Sequence, residues 1–383
     1  MGEHIKLDKV LITGGAGFIG TKIAFQLKEK GYEVMILDNL SPLIHGPDFN
    51  KTGTYRELCA EYSVVEGSIL DQDVLHDCII KNDAIIHLAA ETGTGKSMYD
   101  IFHYTNVNAN GTALLWDILG NKDHQIRKVV LASSRAVYGE GKYYCKEHGA
   151  VYPNSRLEKD LKNKDFHTKC PSCQRNVALL PTDEDAKLHP VSIYGITKQV
   201  QEQLAMISGE AMGIPTTSLR FQNVYGPGQS LKNPYTGILS IFSSRLLNGN
   251  DINIFEDGLE SRDFVYIDDV VNATIASLES NSANGQIYNV GSGQPIAVLQ
   301  VAEKLSQALG REFNYTISGN FRVGDIRHNY ADISKISKEL GFQPLTSFDQ
   351  GIGRFADWVK EQEVEEDKFA ASIMEMRSKG LYH

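Results

Sequence analysis

The stretch Lys9-Val10-Leu11-Ile12-Thr13-Gly14-Gly15-Ala16-Gly17-Phe18-Ile19-Gly20 limits what this chain can fold into more than any other. Five largely apolar residues run without a spacer into clustered glycines, and these lead into a helical pattern from Thr21 to Lys30. Strand, glycine turn and helix in that order open a parallel βαβ unit. Gly15, Gly17 and Gly20 satisfy G-x-G-x-x-G, a spacing that lets the backbone approach a pyrophosphate at the positive end of a helix. A second strand, Glu33 to Leu37, ends in Asp38, where a carboxylate accepts from a ribose 2′-hydroxyl and repels a 2′-phosphate. The cofactor implied is NAD.

Apolar segments continue to alternate with helical ones through Tyr62–Glu66, Ala84–Ala90, Asn106–Leu119 and Lys128–Ala132. The fold class expected is α/β, a doubly wound parallel sheet of the Rossmann kind, with ligands outside the carboxyl ends of the strands. At 383 residues one core is not enough, and past Phe221 the strict alternation weakens. The expected division is a cofactor domain over 1–220, carrying an insertion at 139–189 and regaining 264–292, and a smaller mixed α/β substrate lobe over 221–263 and 293–383. Glu361 to Lys368 is strongly charged and reads as a solvated helix.

A formal net charge of -10 speaks against nonspecific nucleic-acid binding, which needs a basic surface. No apolar run approaches the length of a membrane span, and Met1 to Lys6 has no apolar signal-like core, so a cytoplasmic protein is expected. Thr94-Gly95-Lys96-Ser97 mimics the end of a phosphate-binding P-loop, but Ala90 stands where that motif needs its first glycine. A loop lining the substrate pocket, with Thr94 in contact, is the better reading.

Tyr194 and Lys198 are four residues apart and share one face of a helix. A tyrosine with an ordinary pKa near ~10 acts as a base at neutrality only if lowered by about 3 units, roughly 4 kcal/mol. One ammonium at ~4 Å in an effective dielectric of ~20 supplies about that. Ser134, at the end of a strand, is placed to orient the substrate hydroxyl or pass its proton.

The segments T-G-G-A-G-F-I-G, D-N-L, H-L-A-A, N-x-x-G-T, S-S-x-A-V-Y-G, Y-G-I-T-K, N-V-Y-G-P-G, R-D-F-V-Y-I-D-D and R-V-G-D-I-R span Thr13 to about Asp332. Together they resemble the extended short-chain dehydrogenase/reductases, and within them the nucleotide-sugar epimerases related to UDP-galactose 4-epimerase. The resemblance implies Ser134, Tyr194 and Lys198 as catalytic residues. It implies an NAD site at Gly14, Gly17, Phe18, Ile19, Gly20, Asp38 and Asn39, with Ser68 and Ile69 at the adenine, Leu88, Ala89 and Ala90 beneath the cofactor, Asn108 in support, and Tyr194 and Lys198 at its reactive end. Thr94, Ser134, Arg135 and Asn223 would face the sugar, and Arg262 and Arg322 the diphosphate, where guanidinium forks suit phosphate oxygens. A homodimer is also implied. Arg135-Ala136 replaces the Asp-Glu pair that related 4,6-dehydratases use to eliminate water, which disfavours dehydration. A dehydratase, a net reductase or a non-catalytic NAD-binding scaffold are the rival readings.

Three of the five cysteines fall in the insertion, where Cys145, His148, Cys170 and Cys173 form C-x2-H-x21-C-x2-C. Two such chelating pairs can surround one tetrahedral zinc and leave no position open, a structural site. His167 is an alternative ligand, and a redox pair at Cys170 and Cys173 lacks a thioredoxin-like context. The insertion is similar to that of the dTDP-L-rhamnose 4-epimerases, which make dTDP-6-deoxy-L-talose for surface polysaccharides.

Overall fold

The computed structural model describes residues 7–231 and 237–383, so the reading of Met1 to Lys6 lies outside the described residues. The opening strand β1 (Lys9–Thr13) enters the helix Phe18–Glu29 through the glycine turn, and β2 (Glu33–Asp38), β3 (Ser63–Glu66), β4 (Ala84–His87) and β5 (Lys128–Ser134) follow with intervening helices. Next come β6 (Tyr143–Cys145), β7 (Gly149–Val151) and β8 (Ala178–Leu179), then the long helix Ile193–Met212. The remaining strands are β9 (Thr216–Phe221), β10 (Asn223–Tyr225), β11 (Ile252–Ile254), β12 (Ser261–Tyr266), β13 (Ile287–Val290), β14 (Pro295–Ala297), β15 (Tyr315–Ile317) and β16 (His328–Asn329).

Seven strands form one parallel sheet in the order β13-β9-β5-β4-β1-β2-β3. The order reverses between β1 and β4, the place where a doubly wound sheet opens a crevice. Both faces are covered: Val10, Ile12, Ile86 and Val130 pack into one core, Leu11, Ile85, Val129 and Leu131 into the other. This is why the strands read as continuous apolar runs rather than alternating ones. The first core continues into the small lobe through Tyr225, Phe264 and Phe355.

The small lobe holds β10, β12, β14 and β16 in one mixed sheet and pairs β11 with β15. The chain re-enters the main sheet at β13, beside β9. The insertion is a unit of its own, an antiparallel sheet in the order β7-β6-β8.

The charged tail differs from expectation. The helix Phe348–Lys360 ends before Glu361, no helix covers 363–368, and the last helix is Phe369–Ser378. Crowded carboxylates oppose a helix there. Instead Asp367 accepts from Asn250 Nδ2 at 2.7 Å and Arg245 at 3.1 Å, and the chain end folds back so that Tyr382 bridges Arg322.

Candidate active site

A cleft of about 540 Å³ runs along the carboxyl ends of the main strands and beneath the small lobe. Its first half is made by the glycine turn. Gly14 has φ +69°, and a Cβ there would stand 2.8 Å from Ala89 N, so only glycine lets β1 turn against the end of β4. A Cβ on Gly17 would project with only Gly14 O inside 4 Å, so the turn leaves an open cradle at the helix N-terminus. That cradle, with backbone N–H groups and the helix dipole, fits a pyrophosphate. Asp38 is buried and oriented by Ala16 N at 3.1 Å and Leu40 N at 2.9 Å, with His45 Nε2 3.6 Å away. Gly14, Gly17, Phe18, Ile19, Gly20, Asp38, Asn39, Ser68, Ile69, Leu88, Ala89 and Ala90 all line this half, and the donor set fits NAD.

Asn108 does not line the cleft. It is sealed, its amide spanning Glu91 N at 2.7 Å, Glu91 O at 3.0 Å and Thr197 Oγ1 at 2.9 Å. It pins the loop after β4 to the helix that carries Tyr194. His87 works similarly, with Nδ1 2.7 Å from Thr13 Oγ1 and Nε2 3.0 Å from Thr112 Oγ1. Burial, reinforced by Lys198, pushes its pKa down to about 3, so it is a neutral strut.

The helix carrying Tyr194 and Lys198 starts at a Ser192 cap that accepts from Gly195 N at 3.1 Å. The Thr94–Ser97 turn, no P-loop, holds the same helix: Ser97 Oγ accepts from Tyr194 N at 3.1 Å. Ser134 ends β5, and its Oγ accepts from Ala136 N at 3.2 Å. Ser134 and Tyr194 both line the cleft, whereas Lys198 lies buried behind it. Burial pushes the Tyr194 phenol up, opposed by its hydrogen bond with Ser134 and by the charge of Arg135. The spacing of Tyr194 and Lys198 gave that pull to Lys198. In the fold Lys198 is itself pushed down to about 7 by burial, and the charge it feels is that of Glu202.

In the second half Thr94, Arg135, Asn223, Arg262 and Arg322 line the wall. The two diphosphate candidates are already engaged. Arg262 donates to Asp325 at 2.9 Å and to the carbonyls of Ser261, Arg327 and Ile326 at 2.9, 3.0 and 2.7 Å. Arg322 donates to the other oxygen of Asp325 at 3.1 Å. Against the cost of burial, Arg322, Arg262, Arg156 and Arg135 hold the Asp325 carboxyl far below the ordinary range. The result is a wall in which Arg135, Arg262 and Arg322 are interleaved with Asp325, Glu256 and Glu260.

Residues 10–156 and 171–291 match the NAD dependent epimerase/dehydratase family. The chain belongs to that family. The match skips 157–170, the outer part of the insertion. The chain is 35% identical over 355 residues to a dTDP-L-rhamnose 4-epimerase of Burkholderia thailandensis, covering 92% of this chain and 95% of that one. It is 30% identical to a putative UDP-glucose 4-epimerase of Methanocaldococcus jannaschii, at 92% and 98% coverage. The structure of UDP-glucuronic acid 4-epimerase from Bacillus cereus with UDP-glucuronic acid and NAD superposes with a TM-score of 0.74 at 27% identity, covering 92% and 99%.

Several cleft residues of this epimerase/dehydratase family member were not singled out from the sequence: His45, Asn253, Phe255, Glu256, Asp325 and Phe369. Only Asp325 carried a signal, an acid three residues after Arg322. Of the others, Asn253 lies on β11, His45 ends the short helix Pro42–His45, Phe255 and Glu256 follow β11 in a loop, and Phe369 opens the last helix.

The insertion brings Cys145, His148, Cys170 and Cys173 together, with all ligand atoms within 4.8 Å of one another. Cys145 Sγ lies 3.5 Å from His148 Nδ1 and 3.7 Å from Cys173 Sγ, and Cys170 Sγ 3.6 Å from His148 Nδ1. Bond lengths of ~2.3 Å to sulfur and ~2.0 Å to nitrogen give tetrahedral edges of about 3.5–3.8 Å, so the donors fit zinc. His167 is not in the cluster. No residue from 140 to 189 lines the cleft; the insertion instead grips the small lobe. Thr182 bonds to Tyr330 and Asp332, and Tyr143 Oη donates to His328 O at 3.3 Å. Arg156 crosses to Glu256 with two bonds of 2.7 and 2.8 Å.

Proposed function

We propose that the protein is an NAD-dependent nucleotide-sugar 4-epimerase acting on a nucleotide 6-deoxyhexose, with dTDP-L-rhamnose and dTDP-6-deoxy-L-talose as the interconverted pair. The observation that carries the chemistry is Ser134 and Tyr194 on one wall of a cleft whose other walls are a dinucleotide cradle and a cluster of arginines held by acids. The 35% identical relative supports the sugar. The chain's own part in the reaction is proton handling and positioning. Ser134 hydrogen-bonds the C4 hydroxyl, and the Tyr194 phenolate takes its proton as the C4 carbonyl forms. Held by the glycine turn and Asp38, NAD would supply a reversible hydride acceptor for C4. The keto-sugar turns over while the arginine-lined wall keeps the diphosphate in place, and Tyr194 returns the proton to the new alkoxide. No net oxidation results. Arg135-Ala136 beside Ser134 supplies no carboxyl pair for elimination, which sets the dehydratase reading below epimerisation.

Incubating the enzyme with dTDP-L-rhamnose and with UDP-sugars and following C4 configuration by NMR tests this. Inversion is expected with the former at the higher rate, and no inversion with any would overturn it. Tyr194→Phe should abolish turnover while retaining NAD.

The four-ligand cluster is proposed as a structural zinc site, on the strength of its tetrahedral spacing. Cytoplasmic residence, a homodimer and a place in surface polysaccharide synthesis are proposed from the family resemblance. Among the described residues no helix is long and apolar enough to cross a membrane.

A further inference from the structure

Arg135 is the cleft residue whose role the reading above leaves open. It follows Ser134 directly and opens the short 3₁₀ turn Arg135–Tyr138. That turn is pressed against the start of the catalytic helix: a Cβ on Gly195 would lie 2.6 Å from Ala136 O. Arg135 therefore reaches the cleft beside Tyr194, and both line it. Its guanidinium makes no hydrogen bond and no ion pair with any described residue, in contrast to Arg156, Arg262, Arg322 and Arg327, all of which are engaged. A guanidinium on the cleft wall with five donors and no protein acceptor is free to meet a ligand or a developing anion there.

We propose that Arg135 is the positioning cation of the base: from the cleft it shares with Tyr194, its guanidinium stabilises the phenolate that takes the sugar hydroxyl proton. The proposal rests on Tyr194 being that base. The surrounding charges favour it. Tyr194 is faced by Ser134 and Arg135 from the turn after β5 and by Tyr104 from the helix Ile101–Tyr104. Arg135 is faced by Arg262 of β12, by Asp325 and by Glu140. Lys198, on the same helix as Tyr194, has Glu202 and His87 as its charged and titratable neighbours. Burial takes Lys198 down to about 7 but Arg135 only to about 10, so Arg135 keeps its charge through neutrality where the ammonium is half lost. A pair of cations, one permanent, is what a buried phenol needs to release its proton near pH 7.

The test uses NAD-loaded enzyme without any sugar. Tyrosinate absorbance is titrated in the wild type and in Arg135→Met and Arg135→Lys, each minus the same protein carrying Tyr194→Phe, which isolates one of 17 tyrosines. The Tyr194 midpoint is expected to rise by at least about one pH unit in Arg135→Met, a tenfold loss of phenolate at fixed pH, and by less than half of that in Arg135→Lys. Retained NAD reports folding, and Arg135→Gln serves in place of the Met variant if that one fails to fold. An unchanged midpoint in the uncharged variants overturns the proposal and leaves Arg135 as a reader of substrate anions. Because no sugar is present, the result stands whichever nucleotide sugar is turned over. A shifted midpoint with no C4 inversion would remove the substrate reading alone.

Discussion

Replacing Arg156 by Ala should separate the substrate half of the cleft from the cofactor half. Arg156 is 3% exposed and donates to both oxygens of Glu256, at 2.7 and 2.8 Å, and to Asp325 O at 3.1 Å. It also lies 3.4 Å from Glu140, which is 1% exposed. Truncation leaves Glu256 with Arg327 at 3.0 Å and Glu140 with the backbone N–H of Arg327. Breaking a buried pair from one side costs about 3–5 kcal/mol, mostly the penalty of the carboxylate left behind. For 383 residues at ~2.1 cal/mol/K each, the unfolding entropy is ~0.8 kcal/mol/K, so the melting temperature should fall by roughly 4–6 °C. Asp325, and with it Arg262 and Arg322, loses an anchor, so binding of UDP or dTDP measured by calorimetry should weaken about tenfold or more, near 1.4 kcal/mol. NAD content should not change, because β1, β2 and β4 make that half. Arg156→Lys should recover part of the stability and little of the geometry, since a point charge cannot fork onto Glu256. An unchanged melting temperature, or NAD lost in step with nucleotide binding, would refute the reasoning.

Gly17→Val places a side chain in the cradle without backbone strain, as Gly17 has φ −73°. NAD affinity, measured by fluorescence quenching, should drop at least about tenfold with little change in apo-protein melting. Glu260 is pushed up to about 7, first by burial and then by Glu256. A carboxyl raised from its ordinary value near 4.5 makes the folded state bind more protons between pH 4.5 and 7, so its contribution to stability falls as pH rises through that window. Glu260→Gln should therefore stabilise by about 2–3 kcal/mol above pH 7 and by little near pH 4.5, read from urea midpoints at both. Elemental analysis should give about one zinc per chain, and Cys170→Ser should lower both zinc content and melting temperature. Purified, unchelated protein free of zinc would count against the site.

Much of the site was written in local spacing. Gly14 to Gly20 and Asp38 are fixed by the one way a parallel strand can turn into a helix and meet the next strand end. Tyr194 and Lys198 are placed by helical periodicity, and the four insertion ligands by chelate spacing. What local spacing did not show is which side chains the fold consumes. Asn108 looked like a cofactor contact and is spent on Glu91 and Thr197. Arg262 looked free for phosphate and donates to three backbone carbonyls and Asp325. Glu361 to Lys368 looked like a solvated helix; the stretch is largely exposed but not helical, and Phe369, next in the chain, lines the cleft.

By itself the sequence determined the doubly wound sheet, the dinucleotide turn and the spacing that puts Tyr194 and Lys198 on one helix, because each depends on neighbours within a few positions. Only the tertiary structure decided which charged side chains share the cleft with Tyr194 and where the insertion goes. Electrostatic partnership depends on which groups remain unpaired once everything is packed. Arg135 shares the cleft with Tyr194, Lys198 is buried and does not line it, and the insertion with its Cys/His cluster bonds to the small lobe instead of entering the cleft.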